Sequence, residues 1–358
     1  VPQGWAGLPG WRQDRLHEAI PALLSQCRSA RLPATEPDAA IDRAALADAA
    51  WWRGLCTAAA RLPPGNDAAA RRLIQSRFTP MALTPPPETP PPLLTGYFEP
   101  VYPGCTEAGP GCATPLRARP PGLVDVDAGR FDPARAGTRI RGCVDRGALA
   151  ACPARAAIET GAMPQAPVLA WMDLVDKFFL QIQGSGRLLF ADGSVLRIGY
   201  AAQNFNAYVP IGRLLLDQGQ LARPISMQSI RAWLLANPDR VEAVLNANPS
   251  YVFFRALELP ADQGPIGSLG VPLTAGRSIA VDPAMLPLGL PVFIAAPGVA
   301  PRLTFAQDTG GAIKGFARAD LFTGTGPEAG EVAGRLAAPV AAWVLLPALP
   351  VQPAPPTR

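Results

Sequence analysis

Proline fills 43 positions of this 358-residue chain and glycine another 34. Proline removes a backbone donor and fixes φ, while glycine loosens the backbone, so long uninterrupted helices cannot tile such a sequence. That load excludes a helical bundle and favours short strands, many turns and irregular connections. The length admits two domains with sizeable buried cores, so stability does not depend on small-protein staples.

Helical spacing dominates only the first 80 residues. Leu16, Ile20, Leu23 and Leu24 recur at helical intervals, Asp38 opens an alanine-rich stretch running to about Arg61, and a third helix is predicted over residues 67–78. Triple prolines at 85–87 and 90–92 make a stiff extended connector ending in Leu94-Thr95-Gly96-Tyr97-Phe98-Glu99-Pro100. Residues 101–165 are turn-rich. From Lys177 the pattern alternates, predicting a strand over 179–183, a turn or polar floor at Gly184-Ser185-Gly186, and a hairpin of 187–190 with 194–200 around Asp192-Gly193. Helices are predicted near 210–218, 226–236, 238–246 and 328–336. Strand-like runs at 251–255, 278–283, 290–294, 303–306 and 342–346 lack crossover helices, which suggests a small closed barrel. The expectation is a barrel domain of residues 1–100 and 250–350, interrupted by an inserted β-rich domain of residues 101–249.

Charge is sparse, 17% of residues, and the net +4 is spread without the basic clusters of a nucleic-acid groove. Lys177 and Lys314 are the only lysines against thirty arginines, a skew that reads as codon bias. His17 is the only histidine and no CxxC pair occurs, which argues against a zinc site. Cys105 with Cys112 and Cys143 with Cys152 close short loops, leaving Cys27 and Cys56 on two predicted helices. Three disulfides in an oxidising compartment is the preferred reading, resting on proximity in sequence alone. No run of about 20 apolar residues spans a bilayer. The chain lacks an initiator methionine, so its numbering is expected to begin after a removed export or lipoprotein segment.

Residues 303–322 concentrate the chemistry. An apolar run delivers Asp308 into a two-glycine turn, Lys314 follows, and Asp320 comes twelve residues after Asp308. Carboxyl groups in apolar company have raised pKa values, which a general acid at neutral pH requires. Lys314 could pair with one of the two, holding it ionised while the other keeps a proton. Asp282, before Pro283, either joins this group or fixes a turn by accepting backbone N–H groups. Asp308-Thr309-Gly310 also looks like the tripeptide of aspartic proteases, but no second copy occurs, so only a homodimeric protease would fit. Gly324-Thr325-Gly326 lacks the spacing of a dinucleotide loop, and Ser185 lacks a histidine base for nucleophilic work.

Five motifs in order carry a resemblance. They are Leu94-Thr95-Gly96-Tyr97, Gln181-Ile182-Gln183-Gly184-Ser185-Gly186, Asn248-Pro249-Ser250-Tyr251-Val252-Phe253-Phe254, the stretch from Leu273 to Asp282, and Asp308-Thr309-Gly310-Gly311-Ala312-Ile313-Lys314-Gly315. Together they resemble the lytic murein transglycosylase A family over residues 94–330. The resemblance implies a mainly β fold with flanking helices. A double-psi β-barrel bearing a three-aspartate module would be interrupted by an inserted β-domain, with a deep groove between them for a glycan strand. It implies cleavage of the β-1,4 bond between N-acetylmuramic acid and N-acetylglucosamine in peptidoglycan, with 1,6-anhydromuramoyl ends. Asp320 would be the catalytic acid and base and Asp308 its tuning partner, supported by Asp282 and Lys314. Thr95, Gly96, Tyr97, Gln183, Gly184, Ser185, Gly186 and Gly311 would face the sugars. Phe316-Ala317-Arg318-Ala319 stands where some relatives have a shorter spacer before the later aspartate.

No metal or organic cofactor is expected. The partners expected are peptidoglycan strands and enzymes of cell-wall synthesis, not nucleic acid, and the chain is expected to be a monomer. The location expected is the periplasm, with an outer-membrane tether through the removed N-terminal segment. A non-catalytic glycan-binding barrel protein is the alternative from another class.

Overall fold

A computed structural model of the chain describes residues 4–29, 32, 46–87, 89–316 and 318–348. The chain divides into two compact units, one made of Val1–Phe98 with Asp262–Arg358 and the other of Glu99–Ala261. Among the described residues strands outnumber helices in both, and the chain is mainly β with flanking helices.

In the first unit a 3-10 turn, Leu16–Ala19, leads into α1 (Ile20–Gln26), followed by α2 (Ala49–Ala60) and α3 (Asp67–Arg77). Asp48 caps α2 by accepting from Trp51 N, and Asn66 caps α3 by accepting from Ala69 N. Asp38, where the second helix was predicted to open, lies outside the described residues. The Cys27–Cys56 disulfide ties α1 to α2, as the cysteine count suggested.

Eight strands follow in this unit: β1 (Phe78–Ala82), β2 (Leu93–Glu99), β3 (Ser278–Val281), β4 (Pro291–Ala296), β5 (Val299–Asp308), β6 (Arg318–Thr325), β7 (Ala337–Pro339) and β8 (Ala341–Pro347). They form one sheet in the order β1-β8-β4-β5-β3-β6-β2-β7. The first β-segment after the helices therefore pairs with the last strand among the described residues, and β2 is carried to the neighbourhood of β6. A further helix, α4 (Pro327–Arg335), follows β6. Trp52, Leu55 and Ile74 from the helices pack with Phe293, Phe305, Val344 and Leu345 from the sheet in one apolar cluster. Removing these side chains from water is the main force holding helices to sheet.

The second unit has a four-stranded sheet in the order Val252–Ala256, Val195–Gln203, Ser185–Leu189, Val101–Pro103. A two-stranded and a three-stranded sheet accompany it. The predicted hairpin forms, with Leu188 opposite Leu196. Cys105–Cys112 and Cys143–Cys152 are both closed, matching the expected pairing.

One prediction fails here. Residues 179–183 are not a strand but the end of a helix, Leu174–Gln183. Asp173 starts that helix by accepting from Val175 N and Asp176 N at 2.9 and 3.0 Å. Gly184 ends it at φ +78°, donating its N–H to Leu180 O. Every residue from Val175 to Gln181 is buried. Leu174, Val175, Phe178, Phe179 and Ile182 do recur at helical spacing, but the period shows only when the segment is read from Asp173, whereas 179–183 taken alone alternates like a strand.

Candidate active site

Strand alternation sorts the Thr-Gly-Tyr segment. Thr95 and Tyr97 project from one face of β2 and Gly96 from the other. Gly96 lies against α4, where an added Cβ would come within 2.7 Å of Ala333 Cα. Its missing side chain therefore serves close packing of strand on helix rather than a surface offered to sugar.

Thr95 and Tyr97 reach two carboxylates. Thr95 Oγ1 donates to Asp320 Oδ1 at 2.7 Å, and Tyr97 Oη donates to Asp308 Oδ2 at 2.9 Å. The sheet register explains how acids twelve residues apart meet. Ala280 on β3 is the register partner of Asp308 on its parallel neighbour β5 and of Asp320 on its antiparallel neighbour β6. All three side chains therefore share a face, with the two acids about two strand spacings apart, roughly 10 Å between Cα atoms, over a methyl floor.

The two acids are held differently. Asp308 accepts four hydrogen bonds: Ser268 N, Ser268 Oγ and Thr309 N on Oδ1, each at 2.9 Å, and Tyr97 Oη on Oδ2. Asp320 accepts one, from Thr95, and its Oδ2 has no hydrogen-bond partner among the described residues. Burial pushes both carboxyl groups above their ordinary values. For Asp308 the four donors oppose that rise. For Asp320 burial is the largest cause; Thr95 and the Arg318 guanidinium pull down, the Asp308 charge pushes up, and the result is about 6. Donors aimed at both oxygens of Asp308 stabilise its charged form, whereas Asp320 has an oxygen free to carry a proton. Of the two, Asp320 is therefore the carboxyl group placed to carry a proton, as pH falls toward about 6. Burial and the facing Asp308 charge also raise the Tyr97 phenol well above its ordinary value, so it remains a donor.

Thr95→Val removes the single donor on Asp320 and is expected to move that carboxyl further above 6. Carboxyl NMR titration of the variant checks it. An unchanged or lowered value would contradict the arrangement described.

Lys314 does not pair with either acid; its Nζ lies 3.8 Å from Asp282 Oδ1, and its side chain is 64% exposed. Asp282 accepts from Gly315 N at 2.8 Å and from Ala284 N at 3.3 Å, tying the 309–316 loop to the turn after β3. Gly315 takes φ +92°, so the loop needs glycine there. Gly311 is exposed on the same loop. Gln183, Gly184, Ser185 and Gly186 belong to the second unit. There Gly184 is a helix cap, Ser185 opens the Ser185–Leu189 strand, and a Cβ on Gly186 would meet Leu180 Cδ1 at 2.4 Å. Sequence reading missed Ser268, Thr309 and Arg318. Gly267-Ser268-Leu269-Gly270 carries a turn signature, but nothing local says that the turn faces a carboxylate.

Residues 93–255 match the MltA specific insert domain and residues 277–346 match the 3D domain. A solved membrane-bound lytic murein transglycosylase from Agrobacterium tumefaciens is 37% identical and superposes over 97% of this chain and 97% of its own, with a TM-score of 0.83. The chain belongs to the lytic murein transglycosylase A family. Membrane-bound lytic murein transglycosylase A of Vibrio cholerae is 38% identical over 199 residues, which is 51% of this chain and 53% of that protein. The chain thus spans about half the length of the curated relatives it matches. A crystal structure of E. coli MltA with bound chitohexaose is 29% identical over 78% of this chain and 79% of its own, with a TM-score of 0.62. Both acids fall in the 3D region, whereas Thr95 and Tyr97 fall in the segment matched by the insert domain, although β2 joins the sheet of the first unit.

Proposed function

We propose that the protein is a peptidoglycan lytic transglycosylase that cleaves the β-1,4 bond between N-acetylmuramic acid and N-acetylglucosamine and leaves a 1,6-anhydromuramoyl end. One observation carries this reading: a single carboxyl group, Asp320, has a pKa raised to about 6 and an unoccupied oxygen, beside a second carboxylate saturated with donors. Family membership and the chitohexaose-bound relative support a glycan as substrate.

In the first half-reaction Asp320 gives its proton to the glycosidic oxygen as the C1–O bond breaks. In the second, the C6 hydroxyl of the same muramoyl sugar closes on C1 and returns its proton to the Asp320 carboxylate. No water is consumed, and the enzyme ends as it began. Ordinary glycosidases need two working carboxyl groups, one for the leaving group and one to activate water or form a covalent adduct. An intramolecular hydroxyl replaces the second, with an effective molarity on the order of 10⁵ M or more. Asp308 keeps its charge to hold the proton on Asp320 and to stabilise positive character at C1. No step requires a metal or organic cofactor.

In this reading the first unit is catalytic and the second supplies glycan contacts through Gln183 and Ser185. Asp282 and Lys314 shape the loop that carries Gly311. The protein works as a monomer in the periplasm, tethered to the outer membrane by a lipoprotein segment and accompanied by cell-wall synthesis enzymes. The curated relatives are named membrane-bound, and among the described residues no helix is long and apolar enough to cross a membrane.

Incubation with purified sacculi followed by mass spectrometry of the muropeptides tests the proposal. Anhydro ends are expected. Hydrated reducing ends would make the protein a hydrolase, and unchanged sacculi would make it a binder.

A further inference from the structure

Two of the four donors to Asp308 come from one residue that sequence reading did not single out. Ser268 sits in a turn closed by Gly270 N donating to Gly267 O at 2.8 Å and Gly267 N donating to Val271 O at 3.0 Å. Leu269 N donates to Gln307 O at 3.0 Å, which pins the turn to the residue before Asp308. The approach is close: a Cβ on Gly267 would lie 2.6 Å from Gln307 O. A turn seated this tightly on the end of β5 gives its next residue little freedom.

From that seat Ser268 donates both its backbone N–H and its hydroxyl to Asp308 Oδ1, each at 2.9 Å. Ser268 is exposed, so water could have satisfied the hydroxyl, yet it is committed to the carboxylate. Its single hydroxyl proton being used there, the 2.7 Å contact between Ser268 Oγ and Thr309 Oγ1 makes Thr309 the donor. Thr309 N also donates to Oδ1. A short relay thus runs from the Thr309 hydroxyl through Ser268 to Asp308.

We propose that Ser268 is a positioning residue of the reaction: the 267–270 turn clamps Asp308 in one orientation as a carboxylate, which leaves Asp320 as the acid that carries the working proton. The inference rests on the transglycosylase reading for its consequence, though not for its geometry. The ionisable groups facing Asp308 are Tyr97 from β2 and Asp320 from β6, while Arg318 on β6 faces Asp320. Neither Tyr97 nor Arg318 changes its charge in the working range of the acids. A weaker clamp therefore acts on the Asp308 and Asp320 pair alone, whose protons leave in two coupled steps.

The test compares the wild-type chain with Ser268→Ala and Ser268→Thr, measuring kcat, KM and the pH profile of anhydromuropeptide release. Alanine keeps the backbone donor and removes the hydroxyl, and threonine keeps both. For Ser268→Ala, kcat is expected to fall about 10-fold with KM nearly unchanged, and the acidic limb to move up by about one pH unit. The alkaline limb, set by loss of the Asp320 proton, stays in place, and Ser268→Thr restores most of the rate. An unmoved acidic limb in Ser268→Ala, or a threonine variant as impaired as alanine, overturns the proposal. Should the alanine variant melt early, Thr309→Val serves instead: it removes only the relay donor, and a smaller shift in the same direction is expected, no shift being a refutation. If the wild-type protein releases no anhydro ends, the transglycosylase reading falls separately. The clamp is then judged by carboxyl NMR: the Asp308 pKa is expected to rise in Ser268→Ala, and an unchanged value ends the idea.

Discussion

Asp320→Asn is expected to reduce anhydromuropeptide release by about 10²- to 10⁴-fold, the range general acid–base catalysis supplies, while glycan binding persists. Asparagine matches the carboxyl group in size and can still accept from Thr95, so the geometry around β6 is kept. What it cannot do is give up a proton to the leaving oxygen and take one back from the C6 hydroxyl. Both halves of the reaction lose their agent at once. The same substitution should raise stability at alkaline pH. In the folded protein the carboxyl group titrates near 6, above its ordinary value of 3.8. Between those values the native state binds more protons than the unfolded chain, so stability falls as pH rises through the window. Above it, the wild type carries a cost of about 3 kcal/mol for a buried charge. Asparagine does not ionise, so the variant is expected to be more stable by up to that amount at pH 8 and equal to wild type near pH 4. Denaturant titrations at the two pH values check the stability arm. Near wild-type turnover would show that Asp320 is not the acid.

Local sequence carried part of this site and long-range pairing carried the rest. Asp308 was legible because an apolar run and a glycine turn mark a strand end, and β5 does end there. Asp320 was legible as chemistry but not as structure: it lies inside β6, which arginine, aspartate and glycine disguise as loop. Their meeting through Ala280 depends on which strands neighbour β3, and no spacing reports that. Thr95 and Tyr97 stood out by type and were expected to meet sugar, whereas their hydroxyls are spent on the acids. A lone lysine beside two carboxylates invites a pair with Asp308 or Asp320. The loop instead turns Lys314 toward Asp282, whose backbone contacts were the other reading of that residue. The disulfides were legible because two of them close loops of 7 and 9 residues, leaving one pairing for the rest.

Arg277→Ala is expected to destabilise the first unit by about 3–5 kcal/mol, the cost of orphaning a buried charge. The guanidinium is 4% exposed and pairs with Asp14 Oδ1 at 2.8 Å, whose own side chain is 2% exposed. It also donates to Leu303 O, to Arg15 O and to Glu18 Oε2. Asp14 in turn accepts from Leu303 N through Oδ2 at 2.7 Å. One arginine, the residue before β3, thus fastens the N-terminal segment to β5. Its removal leaves the buried Asp14 without its cation and takes a donor from Leu303 O, a loss that water cannot repair at such burial, whereas Arg15 O keeps Glu18 N. The ion pair Arg213–Asp217 is the control: both side chains are more than half exposed, so solvent screens the attraction and its removal should be nearly neutral. Asp14→Asn in the Arg277→Ala background separates charge from packing. It removes the orphaned anion and is expected to recover part of the lost stability, whereas in the wild-type background it breaks the pair and destabilises. Additive effects of the two substitutions would mean that the pair is not coupled. The consequence reaches the site because Ser278, next in the chain, donates through Oγ to Gln307 Oε1 at 2.6 Å, beside Asp308. The register over Ala280 that brings the acids together begins at that arginine.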